Sequence, residues 1–141
     1  MKVTVIDAQG GGMGKQVVSA VRKAYPEIEI IAIGTNSIAA SVMLKAGANR
    51  AAAGENAVVV ASRSADVIIG PIGIVIADSL LGEVTPKMAV SVAQSTAKKL
   101  FIPFNHCDNY IVGINDLSMK TLIKSLLDEL DKIIRGDKTC L

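Results

Sequence analysis

Between a β-branched run and an apolar helical pattern, this chain places Ala8-Gln9-Gly10-Gly11-Gly12-Met13-Gly14, and that glycine turn constrains the fold more than any other feature. Val3 to Ile6, ending at Asp7, reads as a strand buried on both faces. Beyond the turn, Val17, Val18, Val21 and Ala24 follow helical spacing. Strand, glycine turn and helix in that order open a parallel α/β unit. A helix that begins at such a turn offers unpaired N–H groups and the positive end of its dipole, and without side chains in the way a phosphate can approach the backbone closely. The same glycines would also suit a tight strand-to-helix crossing with no ligand.

The alternation continues along the chain. Pro26 ends the first helix by excluding helical geometry from the residue before it, and Ile28 to Ile33 forms a second buried-type strand. Gly34-Thr35-Asn36 turns the chain into a second helix, with Asn36 as N-cap and Gly47 as its stop. Ala48 to Gly54 is rich in small residues and fits an edge strand or a loop; we take it as an edge strand. Glu55 to Arg63 forms a third helix, and Asp66-Val67-Ile68-Ile69 a strand closed by Gly70-Pro71-Ile72-Gly73. A helix towards Leu81 is expected next, with Gly82 beyond its end, and Thr85 followed by Pro86 caps another that runs to Ser95. Leu100 to Phe104 and Tyr110 to Ile114 are the last strands, separated by Asn105-His106-Cys107-Asp108-Asn109. In the final helix Met119, Leu122, Ile123, Leu126, Leu127, Leu130, Ile133 and Ile134 keep a helical period, Asp128 to Lys132 and Asp131 to Arg135 are spaced for ion pairs, and Gly136 ends it.

These elements predict an α/β fold, a Rossmann-like three-layer sandwich with a mainly parallel sheet of about five or six strands. One such domain accounts for residues 1–141. Right-handed crossovers put the strand from Lys2 at the centre, flanked by those from Glu29 and Asp66, in the order third, second, first, fourth, fifth.

Composition removes several function classes. Charged residues make up 20% of the chain, and its 15 basic and 13 acidic residues leave a net charge of +2 with no basic block. Aromatic residues are only 3%, so stacking platforms are missing as well, and no nucleic-acid partner is expected. Hydrophobic residues make up 50%, yet the longest apolar stretch, Val67 to Ala77, is broken by Gly70, Pro71 and Gly73, so no membrane partner is expected either. The first apolar run is too short for a signal-peptide core, which points to the cytoplasm. Cys107 and Cys140 read as free thiols, and the one histidine with scattered carboxylates lacks the spacing of a metal site. So apolar a chain should leave a patch for a homo-oligomer, and the Pro86 to Ser95 helix is the expected surface.

Set against the dinucleotide fingerprint G-x-G-x-x-G, Gly10 and Gly12 fit, but Lys15 stands at the third glycine. The turn resembles that of short-chain dehydrogenases, with Gly12-Met13-Gly14 matching and Ala8 at the first glycine. Asp66 to Gly73 falls where that family has the strand and loop over its nucleotide. The family's catalytic Tyr-x-x-x-Lys is absent, because Tyr25 is followed at the fourth place by Glu29 and Tyr110 by Ile114. Gly11-Gly12-Met13-Gly14-Lys15 is similar to the G-G-x-G-K core of partition-type ATPases, though Gln16 replaces the magnesium-binding Ser or Thr and Gly10 the signature lysine. Across the whole chain, Gln9-Gly10-Gly11-Gly12, Gly34-Thr35-Asn36, Gly54-Glu55-Asn56, Gly70-Pro71-Ile72-Gly73 and Thr85-Pro86-Lys87-Met88 resemble a family of short, uncharacterised bacterial proteins of anaerobic Firmicutes, a domain of unknown function. That resemblance implies the fold and assigns no activity.

The expected ligand is therefore a small phosphate-bearing molecule, NAD(P) or another nucleotide. Its expected site comprises Gln9, Gly10, Gly11, Gly12, Met13, Gly14 and Lys15, with Thr35, Asn36, Gly70, Pro71 and Gly73. Thr35 and Asn36 stand where a dinucleotide fold carries its ribose-binding acid, although capping the next helix is an equal use for them. One alternative is a small oxidoreductase or transferase with an NAD(P)-type cofactor, its acid or base drawn from Asp7, Asp78 or His106. Another is a structural interaction protein without a ligand. His106 and Cys107 are neighbours in an extended segment, so they point apart and do not make a nucleophile pair.

Overall fold

The computed structural model describes residues 1–103, 109–115 and 118–137. The strands are β1 (Lys2–Asp7), β2 (Glu29–Gly34), β3 (Arg50–Ala53), β4 (Val67–Pro71) and β5 (Lys98–Ile102). The helices are α1 (Gly12–Ala24), α2 (Ser37–Lys45), α3 (Glu55–Ser64), α4 (Pro86–Gln94) and α5 (Met119–Arg135), with a 3-10 turn at Ile72–Val75. All the strands pair in parallel, in the order β3-β2-β1-β4-β5, so the Rossmann-like α/β expectation holds, as does the strand order.

β1 sits at the centre because both of its faces can be buried. Val3 and Val5 join a core with Val17, Val18 and Val21 of α1, Met43 of α2 and Leu130 of α5. Ile6 turns the other way, into a second core with Val58 of α3 and Met88 and Val92 of α4. Alternating side-chain direction along one strand thus builds the two outer layers. The expected caps form too: the Asn36 side chain accepts from Ala39 N–H, Thr85 from Met88 N–H, and Gly136 closes α5 in the left-handed region.

Some expectations fail for local reasons. No helix runs from Gly73 to Leu81; after the 3-10 turn the chain doubles back, with Asp78, Leu80 and Leu81 at φ 63, 55 and 59, values no right-handed helix accepts. The reversal is held by Asp78 N–H donating to the Val84 carbonyl and by the Ser79 hydroxyl donating to the Gly73 carbonyl. Tyr110 to Ile114 forms no strand: among the described residues it pairs with no other strand, Gly113 takes φ +89, and Val112 is 96% exposed. β5 begins at Lys98, in register with Val67, rather than at Leu100. In α5, Asp131 pairs with Arg135 as expected, whereas Lys132 pairs with Glu129 and Asp128 with Lys124.

Candidate functional site

The glycine turn lies at the carboxyl edge of the sheet, between β1 and β4, where successive strands depart in opposite directions from the centre. In open α/β sheets this switch point is where a crevice forms. Here it holds a cavity of about 200 Å3. One wall is Asp7 and the backbone from Ala8 to Met13; Pro71, Ile72 and Gly73 face it, and Ser79 and Leu80 of the doubled-back segment close over it. Asn109, from the segment after β5, also reaches this cavity.

The four glycines divide between two tasks. A Cβ on Gly11, at φ +72, would come within 2.8 Å of the Ala39 backbone, and one on Gly14 would strike Met43 and lie 2.9 Å from Asp7 Cβ. These two let α1 pack tightly on β1 and α2. At Gly10 and Gly12 a Cβ would meet nothing within 4 Å, so the backbone there is open from the outside.

The N–H groups of the turn are similarly divided. Gln9 N–H donates to Glu83, Gly11 N–H to the Ala8 carbonyl, Gly14 N–H to Asp7 and Lys15 N–H to the Gly11 carbonyl. Among the described residues, those of Gly10, Gly12 and Met13 have no acceptor within the protein, and for Gly12 and Met13 this follows from standing at the start of a helix.

Asp7 is 5% exposed. Its carboxylate accepts from Ala8 N–H at 2.8 Å and Gly14 N–H at 2.6 Å. Burial nevertheless raises its pKa above the usual 3.8, against the lowering effect of those two bonds, and the charge of Glu83 pushes the same way. No lysine or arginine among the described residues lines the cavity.

Of the residues expected at the site, Gln9, Gly10, Gly11, Gly12, Met13, Pro71 and Gly73 line this cavity. Gly14 lies behind it as a packing position, and Lys15 is exposed and outside it. Gly70 is a sheet-packing glycine, since a Cβ there would come within 2.5 Å of the Ile6 carbonyl oxygen. Thr35 and Asn36 also stand away from the cavity, and both donate to Glu83 Oε1, at 3.1 and 2.5 Å. Asp78 is exposed on the reversal, while His106, Cys107 and Asp108 lie outside the described residues.

Glu83 is the residue that sequence reasoning missed. Its carboxylate arrives from the far side of the switch point and ties the segment after β4 to the ends of both β1 and β2. A lone glutamate in a loop carries no local signature of such a role. Among the described residues no cluster of three His, Cys, Asp or Glu forms a metal site, and no helix is long and apolar enough to cross a membrane.

Fold and cavity together define a parallel α/β protein of Rossmann-like build with its crevice at the reversal of strand order. Within that class the chain belongs to the family described as "Domain of unknown function (DUF3842)", whose model matches residues 2–135. No curated protein matches it. Among solved structures it is similar to a dodecameric FMN-dependent UbiX-like decarboxylase from Escherichia coli O157:H7, at 16% identity and a TM-score of 0.47, covering 91% of this chain and 76% of that one. It is also similar to a nucleoside-diphosphate-sugar epimerase from Pseudomonas aeruginosa, at 17% identity and a TM-score of 0.45, covering 91% of this chain and 46% of the other.

Proposed function

We propose that this protein binds a small phosphate-bearing ligand of the nucleotide class, with the phosphate held by the backbone of Gly10 to Met13. The observation that carries this reading is that, among the described residues, the N–H groups of Gly10, Gly12 and Met13 find no acceptor on a turn whose Gly10 and Gly12 leave open space, beside a cavity at the switch point. Gln9, Pro71 and Gly73 complete the contact surface. Gly14 and Gly70 let the elements close up behind it, and Thr35 and Asn36 act through Glu83. Lys15, exposed on the first turn of α1, meets the part of the ligand that projects beyond the cavity.

A cavity of about 200 Å3 takes the phosphate and its nearest atoms, leaving the rest of an NAD(P) or other nucleotide along the open sheet edge. Calorimetric titration with NAD, NADP, ATP and inorganic phosphate tests the reading. Wild type should bind at least one of them. Gly12→Val should abolish that binding without lowering thermal stability, and Lys15→Ala should weaken it by about 1 kcal/mol. Equal affinity in wild type and Gly12→Val leaves the turn with a structural role only.

A second reading, an oxidoreductase or transferase, is favoured by one observation: Asp7 lines the cavity with a pKa raised by burial, as a proton-transfer group requires. Turnover of a bound ligand that is lost in Asp7→Asn would select it.

A further inference from the structure

Between β4 and α4 the chain from Ile76 to Glu83 crosses the crevice. Ser79 and Leu80 face the cavity, and beyond them Glu83 reaches the ends of β1 and β2. Its carboxylate accepts from Gln9 N–H at 2.9 Å, from the Thr35 hydroxyl at 3.1 Å and from the Asn36 amide at 2.5 Å. Among the described residues, every hydrogen bond between this segment and the ends of those two strands goes to Glu83. Just beyond it the chain is fixed, because Val84 is buried and Thr85 caps α4. Within the segment, Asp78, Leu80 and Leu81 hold φ values of 63, 55 and 59, which a side chain disfavours. Such conformations persist only while the surroundings hold them.

Glu83 stands against an anion at the turn. Gln9 and Gly10 are consecutive, so the N–H that Glu83 occupies lies beside the Gly10 N–H, which finds no acceptor among the described residues. No lysine or arginine among them pairs with Glu83 or lines the cavity. Asp7, whose pKa burial raises, is pushed further the same way by the charge of Glu83. A phosphate at Gly10 would therefore join two carboxylates with no cation between them, at separations where like charges cost most. The cavity of about 200 Å3 is also smaller than the roughly 300–1,000 Å3 of a ligand pocket, and Leu80 forms part of its wall.

We infer that Glu83 is a latch: its carboxylate holds the 76–83 segment shut over the glycine turn, and a phosphate binding at Gly10 to Met13 displaces it and opens the segment. The inference rests on the phosphate reading above. Binding and latching are linked reciprocally, so whatever weakens the latch strengthens binding. Release withdraws Ser79 and Leu80 from the cavity wall, which makes room for the nucleoside that the closed cavity excludes.

Calorimetric titration of wild type, Glu83→Gln and Thr35→Val with NAD, NADP, ATP and inorganic phosphate tests this, together with hydrogen exchange of wild type with and without the bound probe. Glu83→Gln keeps an acceptor but removes the charge, and any probe that binds wild type should bind this variant about tenfold more tightly. Thr35→Val leaves every charge in place and removes one donor to the latch, so it should tighten binding about threefold. In wild type the bound probe should quicken amide exchange over residues 76–84. A probe that binds all three proteins alike, or that slows this exchange, overturns the latch and leaves the phosphate reading standing. Tighter binding in Glu83→Gln alone also overturns it, since removing a charge without releasing a latch gives that result. If no probe binds any of the three, the phosphate reading fails and the latch with it. The exchange measurement needs no variant, so loss of folding in either one still leaves the latch open to refutation.

Discussion

The Asp7 carboxylate, at the last position of β1, accepts a hydrogen bond of 2.6 Å from the N–H of Gly14 in the first turn of α1. Gly11, the N-cap, has no side chain to do this, so the strand caps the helix that follows it. The contact fixes the angle at which the chain leaves the sheet. It also puts a buried carboxyl into the wall of the cavity, where its ionisation and its hydrogen bonds act in opposite directions.

Burial outweighs those bonds and raises the Asp7 pKa, so the folded chain holds this proton more tightly than the unfolded chain. The associated stability is fully present below the unfolded value of 3.8 and is lost as pH rises through the folded one. Asp7→Asn, which cannot ionise, should therefore gain in melting temperature relative to wild type as pH rises from about 4 to 7. Thermal melts across that range check it, and a difference moving the other way would mean that the N–H bonds dominate.

Gly14 and Gly12 should respond oppositely to the same substitution. Valine at Gly14 would collide with Met43 and Asp7 Cβ, with an overpacking cost of about 1–3 kcal/mol, whereas valine at Gly12 enters open space. Urea denaturation of both variants measures the difference.

Glu83 holds the segment after β4 against the glycine turn. Glu83→Ala leaves Gln9 N–H, Thr35 Oγ1 and Asn36 Nδ2 without this acceptor, although Asn36 keeps a bond to the Gln9 carbonyl. Because Glu83 is half-buried and water can replace part of what is lost, a destabilisation of about 1–2 kcal/mol is expected. Hydrogen exchange should quicken over residues 76–84 while β1 stays protected.

Leu81 sits at φ 59 and is 91% exposed, so it makes few contacts and carries a backbone conformation that suits glycine. Leu81→Gly should change stability by no more than about 0.5 kcal/mol, since relief of strain offsets the added freedom of the unfolded chain. Leu130→Ala, at a fully buried position of α5, should cost about 2–5 kcal/mol. Paired thermal melts test the contrast.

By itself the sequence determined the order and type of nearly every element, the caps at Asn36 and Thr85, the stop at Gly136 and the central place of β1. All of these depend on periodicity, on groups within one helical turn, or on the handedness of crossovers, and so are written in neighbouring residues. It also marked Gln9 to Met13, Pro71 and Gly73, which the fold gathers around one cavity because strand ends in a parallel sheet share an edge. Only the tertiary structure decided which glycines pack and which stay open, because that depends on Ala39 and Met43 of another helix. It alone placed Glu83 beside Thr35 and Gln9, 48 and 74 residues away along the chain, through a reversal in which Asp78, Leu80 and Leu81 take left-handed conformations that their side chains do not announce. Contacts between elements arise from how layers stack, and no local pattern in the chain encodes that distance.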